Sequence, residues 1–263
     1  MERNKSEEPD RQGELELALQ YHRAGNLKDA ARIYEDILRE DSNDADVLHL
    51  SGVIAYQEGR HRQALGRIRK AVALCPETAV FWNNLGNALQ AQEEPEAAVD
   101  SYKRAILLDP AYEDAHYNLG NVLQSRGSYD KALIHFKRVI ELRPDAPEAY
   151  CAIGGILKAL GEFQNAVRCF QIAIKLNPNY AQAHSNLGLC FEHCADPDRA
   201  LYHYEEAIRI LPQFPEAHNN LANVLKRKGD LEKGLRHYER ALEIRPDFAE
   251  AHNNFGNTLV ETG

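Results

Sequence analysis

The stretch 82–87, Trp82-Asn83-Asn84-Leu85-Gly86-Asn87, returns with small changes further along the chain. It reads Tyr117-Asn118-Leu119-Gly120-Asn121, then Asn219-Asn220-Leu221-Ala222-Asn223, then Asn253-Asn254-Phe255-Gly256-Asn257. The closing asparagines lie 34, 136 and 170 residues beyond Asn87, each a multiple of 34. The same ruler meets Pro76, Pro110, Pro144, Pro178, Pro212 and Pro246, and also Ala30, Ala64, Ala98, Ala132, Ala166 and Ala200. A fixed period without insertion or deletion, running from Arg11 to the last residue, marks a solenoid whose units bury their apolar faces only against their neighbours. The functional question therefore shifts from a single pocket to a repeated surface.

Seven complete repeats occupy 11–248, and 249–263 begin an eighth, as a capping helix or the first helix of a further unit. The 44% apolar and 27% charged content suits a solenoid with much exposed helix surface. A net charge of −9 argues against nucleic acid as a partner, because that affinity is carried by Lys and Arg on phosphates. Segment 1–10 is charged and polar with no apolar core, which predicts a loose, disordered tail rather than a signal peptide. No run approaches the ~20 apolar residues of a membrane span. Cys75, Cys151, Cys169, Cys190 and Cys194 form no framework-like pattern, so reduced thiols in a cytoplasmic protein are expected.

Within the fourth repeat, numbered from Glu113, Leu119 and Leu123 are spaced as on one face of a first helix. Gly127 breaks it, and Ala132, Phe136, Val139 and Leu142 trace a second helix that Pro144 ends. The turn at position 15 carries Gly25, Gly59, Gly127, Gly161 and Gly229, suited to a left-handed helix cap, whereas Glu93 and Ala195 depart from glycine there. Both exceptions are followed two residues later by a proline, Pro95 and Pro197, placed to open the second helix. Asn26, Ser128, Asp196 and Asp230 are candidate N-caps. Small residues at position 8 (Gly52, Gly86, Gly120, Gly154, Gly188 among them) are expected to face small residues at position 20. Large residues at position 24 (Tyr34, Ile68, Tyr102, Phe136, Phe170, Tyr204, Tyr238) are expected to fill the wedge to the next repeat.

This pattern of small, small, large and proline resembles the tetratricopeptide repeat over the whole of 11–263. The resemblance implies an all-α, right-handed superhelical solenoid of helix-turn-helix repeats whose first helices line a concave face. In that family the concave positions are chiefly 2, 5, 6, 9, 12 and 13. Position 6 here supplies Asn84, Asn118, Asn186, Asn220 and Asn254, and position 9 supplies Asn87, Asn121, Asn223 and Asn257. Asn83, Asn219 and Asn253 join them at position 5, and Gln90 and Gln124 at position 12. Ala152 and Gly155 interrupt the row, and Glu16 and Leu50 stand at position 6 of the first two repeats. A carboxamide offers the donors and acceptor that match a peptide group. With helices on the order of 10 Å apart and a strand advancing ~3.3 Å per residue, one asparagine meets about every third peptide. The row thus predicts binding of extended peptides through their main chain; the competing reading is that these asparagines bond between helices.

The motifs at 217–223 and 251–257, each opened by Ala-His, also resemble the asparagine ladder in the repeat arm of O-linked N-acetylglucosamine transferases. That likeness implies a role for Asn84, Asn118, Asn186, Asn220 and Asn254 in holding substrate backbone, but nothing here matches the sugar-nucleotide site. The carboxylate clamp known from this fold is absent, because position 5 lacks its lysine and position 2 carries Asp46, Asp114, Glu148, Glu216 and Glu250. Those acids predict neutral or basic ligand segments.

His116, His184, His218 and His252 share position 4, and His135, His203 and His237 share position 23; packing, not metal binding, is the expectation. Cys190 and Cys194 are one turn apart but lack further ligands. No phosphate loop, nucleophile elbow or isolated carboxylate pair points to catalysis, and no cofactor is expected. The functional expectation is a scaffold that binds other proteins, with a substrate-recruiting arm of a longer transferase (a glycosyltransferase of this type or a sulfotransferase) as the alternative. Phe255, Leu259 and Val260 on the last helix form a face that calls for cover, by chain beyond Gly263, by a second copy in a homodimer, or by the preceding helix.

Overall fold

In the computed structural model of the chain, residues 11–262 are described; segment 1–10, expected to be a loose tail, and Gly263 lie outside them. The described residues form fifteen α-helices and no strand. They divide into two compact units, Met1–Arg126 and Gly127–Gly263, parted at the interhelix turn of the fourth repeat. The first unit contains α1 (Arg11–Arg23), α2 (Leu27–Glu40), α3 (Ala45–Gln57), α4 (His61–Leu74), α5 (Ala79–Gln90), α6 (Pro95–Leu108) and α7 (Glu113–Ser125). The second contains α8 (Tyr129–Leu142), α9 (Pro147–Ala159), α10 (Phe163–Leu176), α11 (Ala181–His193) and α12 (Pro197–Ile210). It continues through α13 (Pro215–Arg227), α14 (Leu231–Ile244) and α15 (Ala249–Thr262). Inside each unit every helix packs on the next in sequence, so the core is a run of local interfaces.

The helix turns behave as their residues require. Gly25, Gly59, Gly127, Gly161 and Gly229 all take φ between 70° and 85°. Glu93 and Ala195 are forced into the same left-handed region, at φ 60° and 58°. Pro95 and Pro197 open α6 and α12 just after them. Asn26, Asp196 and Asp230 cap helices through their side chains. Ser128 sits at the N-cap of α8 but makes no capping bond, since a cap needs its oxygen turned towards the helix.

The large side chain at position 24 is buried between its own helix pair and the next repeat: Tyr102 shares a core cluster with Leu119 and Val122, Phe170 with Leu187, and Tyr204 with Leu221. In four repeats it also lies over the position-8 glycine of its own repeat: a Cβ on Gly86 would collide with Tyr102 Cε1, and one on Gly188 would stand 2.7 Å from Tyr204 Cε1. Gly154 is closed in the same way by Phe170 at 2.8 Å and Gly52 by Ile68 at 2.7 Å. Tyr238, which faces Ala222 rather than a glycine, also meets Phe255 of the next repeat edge-on with centroids 6.4 Å apart. Tyr34, Tyr102, Tyr204 and Tyr238 are wholly buried.

Position 4 has a use beyond packing. Trp82 Nε1 donates to the carbonyl of Pro76 at 2.7 Å, six residues back. His116, His184, His218 and His252 place Nε2 on Pro110, Pro178, Pro212 and Pro246 at 2.8–3.3 Å. Each bond ties a first helix to the loop before it. Since a carbonyl only accepts, Nε2 carries the hydrogen, leaving Nδ1 of His184 and His218 to accept from the Nδ1–H of His203 and His237, 3.1 and 3.0 Å away. Burial, then the facing imidazole, lowers the pKa of His203 and His237 to about 4. Burial does the same to His49. Around His203, Glu206 opposes this fall and Arg199 adds to it.

Two outcomes follow from this geometry. Replacing Glu93 and Ala195 by glycine removes a left-handed strain from ordinary residues and should raise stability by roughly 0.5–1 kcal/mol each, read as a higher Tm. A lower Tm would show that these side chains contribute more than the strain removes. Stability should also be level above neutral pH and fall as pH drops from the ordinary histidine value of 6.5 towards 4. In that window the unfolded chain takes up protons that the buried rings refuse, at up to about 1.4 kcal/mol per pH unit for each ring. Thermal melts of a His203→Gln/His237→Gln variant should show a shallower loss between those limits than the natural chain; an equal slope would mean the dyads are not the cause.

Candidate functional site

The predicted asparagines lie on the first helices, and the structure sorts them by how their amides are used. In the first unit, Asn83 is buried in α5, so it lines no groove. Its Oδ1 accepts from Asn118 Nδ2 of α7 at 3.0 Å, and Asn87 Oδ1 accepts from the same amide at 3.2 Å. Asn87 Oδ1 and Gln90 Oε1 each lie 2.7 Å from the Tyr102 hydroxyl. Asn84 Nδ2 meets His49 Nε2 at 2.8 Å. Asn84, Asn87, Asn118 and Asn121 are half-buried, and Asn121 has no side-chain partner among the described residues.

The second unit repeats the scheme. Asn219 is fully buried, accepts from Asn254 Nδ2 at 3.1 Å and donates to Glu250 at 3.0 Å. Asn223 Oδ1 accepts from the Tyr238 hydroxyl at 2.5 Å. Asn186, Asn220, Asn223 and Asn254 are half-buried, while Asn253 and Asn257 are exposed. Position 5 was expected to add to the lining, and for Asn83 and Asn219 that is corrected: they are the buried links that fix Asn118 and Asn254. The competing reading of bonds between helices therefore describes Asn83 and Asn219, though not the exposed Asn253, and partly describes position 9.

Substantial capacity is still left over. Asn118 and Asn254 donate inward and leave Oδ1 without a side-chain partner, whereas Asn220 and Asn223 accept inward and leave Nδ2 without one. In the second unit a cleft of about 290 Å³ opens over Asn220 and Asn223, bordered by Glu192, His193, Arg227 and Glu250. Glu192 is gripped by Arg227 and by the Tyr204 hydroxyl, and burial followed by that carboxylate pushes the phenol pKa well up. His193 stacks on Phe163 with centroids 4.1 Å apart.

The acids at position 2 are less available than their sequence suggests. Glu148 pairs with Arg143, and Glu216 with Arg245 at 2.8 Å. Asp46 and Asp114 are exposed and make no ion pair among the described residues. Among the described residues no three His, Cys, Asp or Glu side chains converge as metal ligands would. All five cysteines are free thiols, and burial raises Cys190 to about 11. No helix of the described residues is long and apolar enough to cross a membrane.

Two features escaped the sequence reading. One is the tyrosine hydroxyl at position 24 reaching positions 9 and 12, for which a Tyr, rather than Phe, opposite Asn is a usable signal. The other is Lys158 on α9, whose Nζ donates to Asn186 Oδ1 at 2.7 Å. Its signal was a lysine at position 12 in the one repeat whose positions 6 and 9 are small.

Family models described as tetratricopeptide repeat match residues 12–79, 83–147 and 215–248, and one described as TPR repeat matches 154–192 and 198–229. Human tetratricopeptide repeat protein 7A is 32% identical over 78 residues, which is 30% of this chain and 9% of that protein, so the match spans under a tenth of the relative. A crystal structure of MamA, 30% identical, covers 63% of this chain and 96% of its own at a TM-score of 0.56. The structure of YrrB, described as a TPR protein with an unusual peptide-binding site, is 26% identical and covers 71% and 96% at a TM-score of 0.54. The chain belongs to the tetratricopeptide repeat family, whose fold is a scaffold for protein–protein interaction.

Proposed function

We propose that this chain binds extended segments of partner proteins along the asparagine-bearing face of its first helices. The carrying observation is that Asn118 and Asn254 are each held from behind by an amide of the preceding repeat, with the carbonyl oxygen left unused. An amide fixed before binding loses little freedom when a peptide N–H arrives. YrrB, similar in fold and sequence, is described by its peptide-binding site, which supports the reading. A second reading, that the same face recruits substrates for a transferase in a longer protein, rests on the likeness of 217–223 and 251–257 to that family's arm.

Changing Asn84, Asn118, Asn186, Asn220 and Asn254 together to alanine should weaken binding to unrelated extended peptides to a similar degree. Each lost bond contributes about 0.5–1.5 kcal/mol, so the sum is readily measured by fluorescence anisotropy. Unchanged affinity with the helical circular dichroism intact would refute the reading. A further expectation concerns charge. Asp46, Asp114 and Glu250 should favour lysine or arginine at the ligand residues beside them, more so at low salt. The triple variant Asp46→Asn/Asp114→Asn/Glu250→Gln should lose that bias in a peptide library; its persistence would place the source of selectivity elsewhere.

A further inference from the structure

Lys158 stands where the asparagine row is broken. The residue one turn before it on the same face is Gly155, at the place that Asn87, Asn121 and Asn223 take in other repeats. No position-9 side chain therefore shields or bonds the ammonium. Its Nζ donates to Asn186 Oδ1 at 2.7 Å, and among the described residues it has no carboxylate partner. It is alone in this among the half-buried lysines: Lys226, two repeats on, pairs with Glu261 at 2.7 Å. Glu192, the repeat-equivalent of Lys158 in the next repeat, is occupied by Arg227 and Tyr204 and is not its counter-ion. Cys151 and Cys190 act on it only as neutral thiols, since burial raises both.

A half-buried ammonium with one amide partner lacks what normally compensates its lost water, and two of its three N–H donors remain open. We propose that Lys158 receives the carboxylate of an aspartate or glutamate side chain within the bound peptide, oriented by Asn186, and so sets the register of a ligand otherwise read through its main chain. This deepens the groove reading and rests on it. Burial, which depresses the lysine pKa, would be offset by the incoming carboxylate.

The test is an array of nine-residue random peptides, acetylated and amidated at their ends, probed with the whole chain. Aligned binders should share one acidic residue at a fixed place. Lys158→Met should weaken those peptides about 10-fold, Lys158→Arg should preserve them, and Lys158→Glu should switch that place to lysine or arginine. Binders that share no acid, or that bind Lys158→Met equally well, overturn the anchor alone. Binding that appears only with free-acid peptides assigns Lys158 to a chain terminus and overturns the side-chain anchor. Failure of the natural chain to bind any peptide overturns the groove reading, and the anchor with it.

Discussion

Close approach of the two helices within a repeat governs the rest of the structure. In four repeats a glycine at position 8 lets the isoleucine, tyrosine or phenylalanine from position 24 lie against backbone, where an added Cβ would clash, whereas Ala18 and Ala222 take that place opposite Tyr34 and Tyr238. Interiors packed to crystal density do not absorb such an overlap without moving side chains off their rotamers. That contact limits how large the position-8 side chain can be in those repeats. It also delivers the phenol oxygen to the far side of the first helix, the side that carries the asparagines. Tyr102 and Tyr238 thus join the core directly to the asparagine-bearing face through Asn87 and Asn223.

Several of the asparagines consequently keep hydrogen-bonding capacity beyond their bond within the fold. An amide has enough donors and acceptors to bond a neighbouring helix and a ligand at once, which a serine or a carboxylate does less symmetrically. Asn83 and Asn219, wholly committed inside, set the aim of Asn118 and Asn254 in the next repeat. At positions 6 and 9 a bond within the fold leaves part of the amide unused, whereas burial commits Asn83 and Asn219 at position 5 and leaves Asn253 there exposed.

Repeat length, helix boundaries, turn glycines and the family were all legible in the chain, because each is a local rule restated many times. Contacts that depend on which way a side chain leans were not. Nothing in the spacing of Gly86 and Tyr102 distinguishes a ring over its own repeat from one reaching forward. Likewise the bonds from Trp82 and the position-4 histidines to proline carbonyls join residues six apart, across a loop whose path is set only by the stacked helices. Ser128 shows the converse, since its residue type allowed a cap that local geometry did not supply.

A perfectly regular row of amides would hold any extended chain in any register, because main chain is the same at every residue. On the proposed groove reading, selectivity therefore comes from where the row fails. Here repeat five replaces both row asparagines with Ala152 and Gly155 and puts a cation, Lys158, at position 12; repeat six puts Glu192 at the same place and neutralises it internally. The two positions are equivalent by the repeat yet opposite in charge, and only one is left without a counter-ion. An irregularity that exposes an uncompensated charge is unfavourable for the free protein and adds little to stability; under the proposed anchor, its use is to distinguish one ligand register from the next.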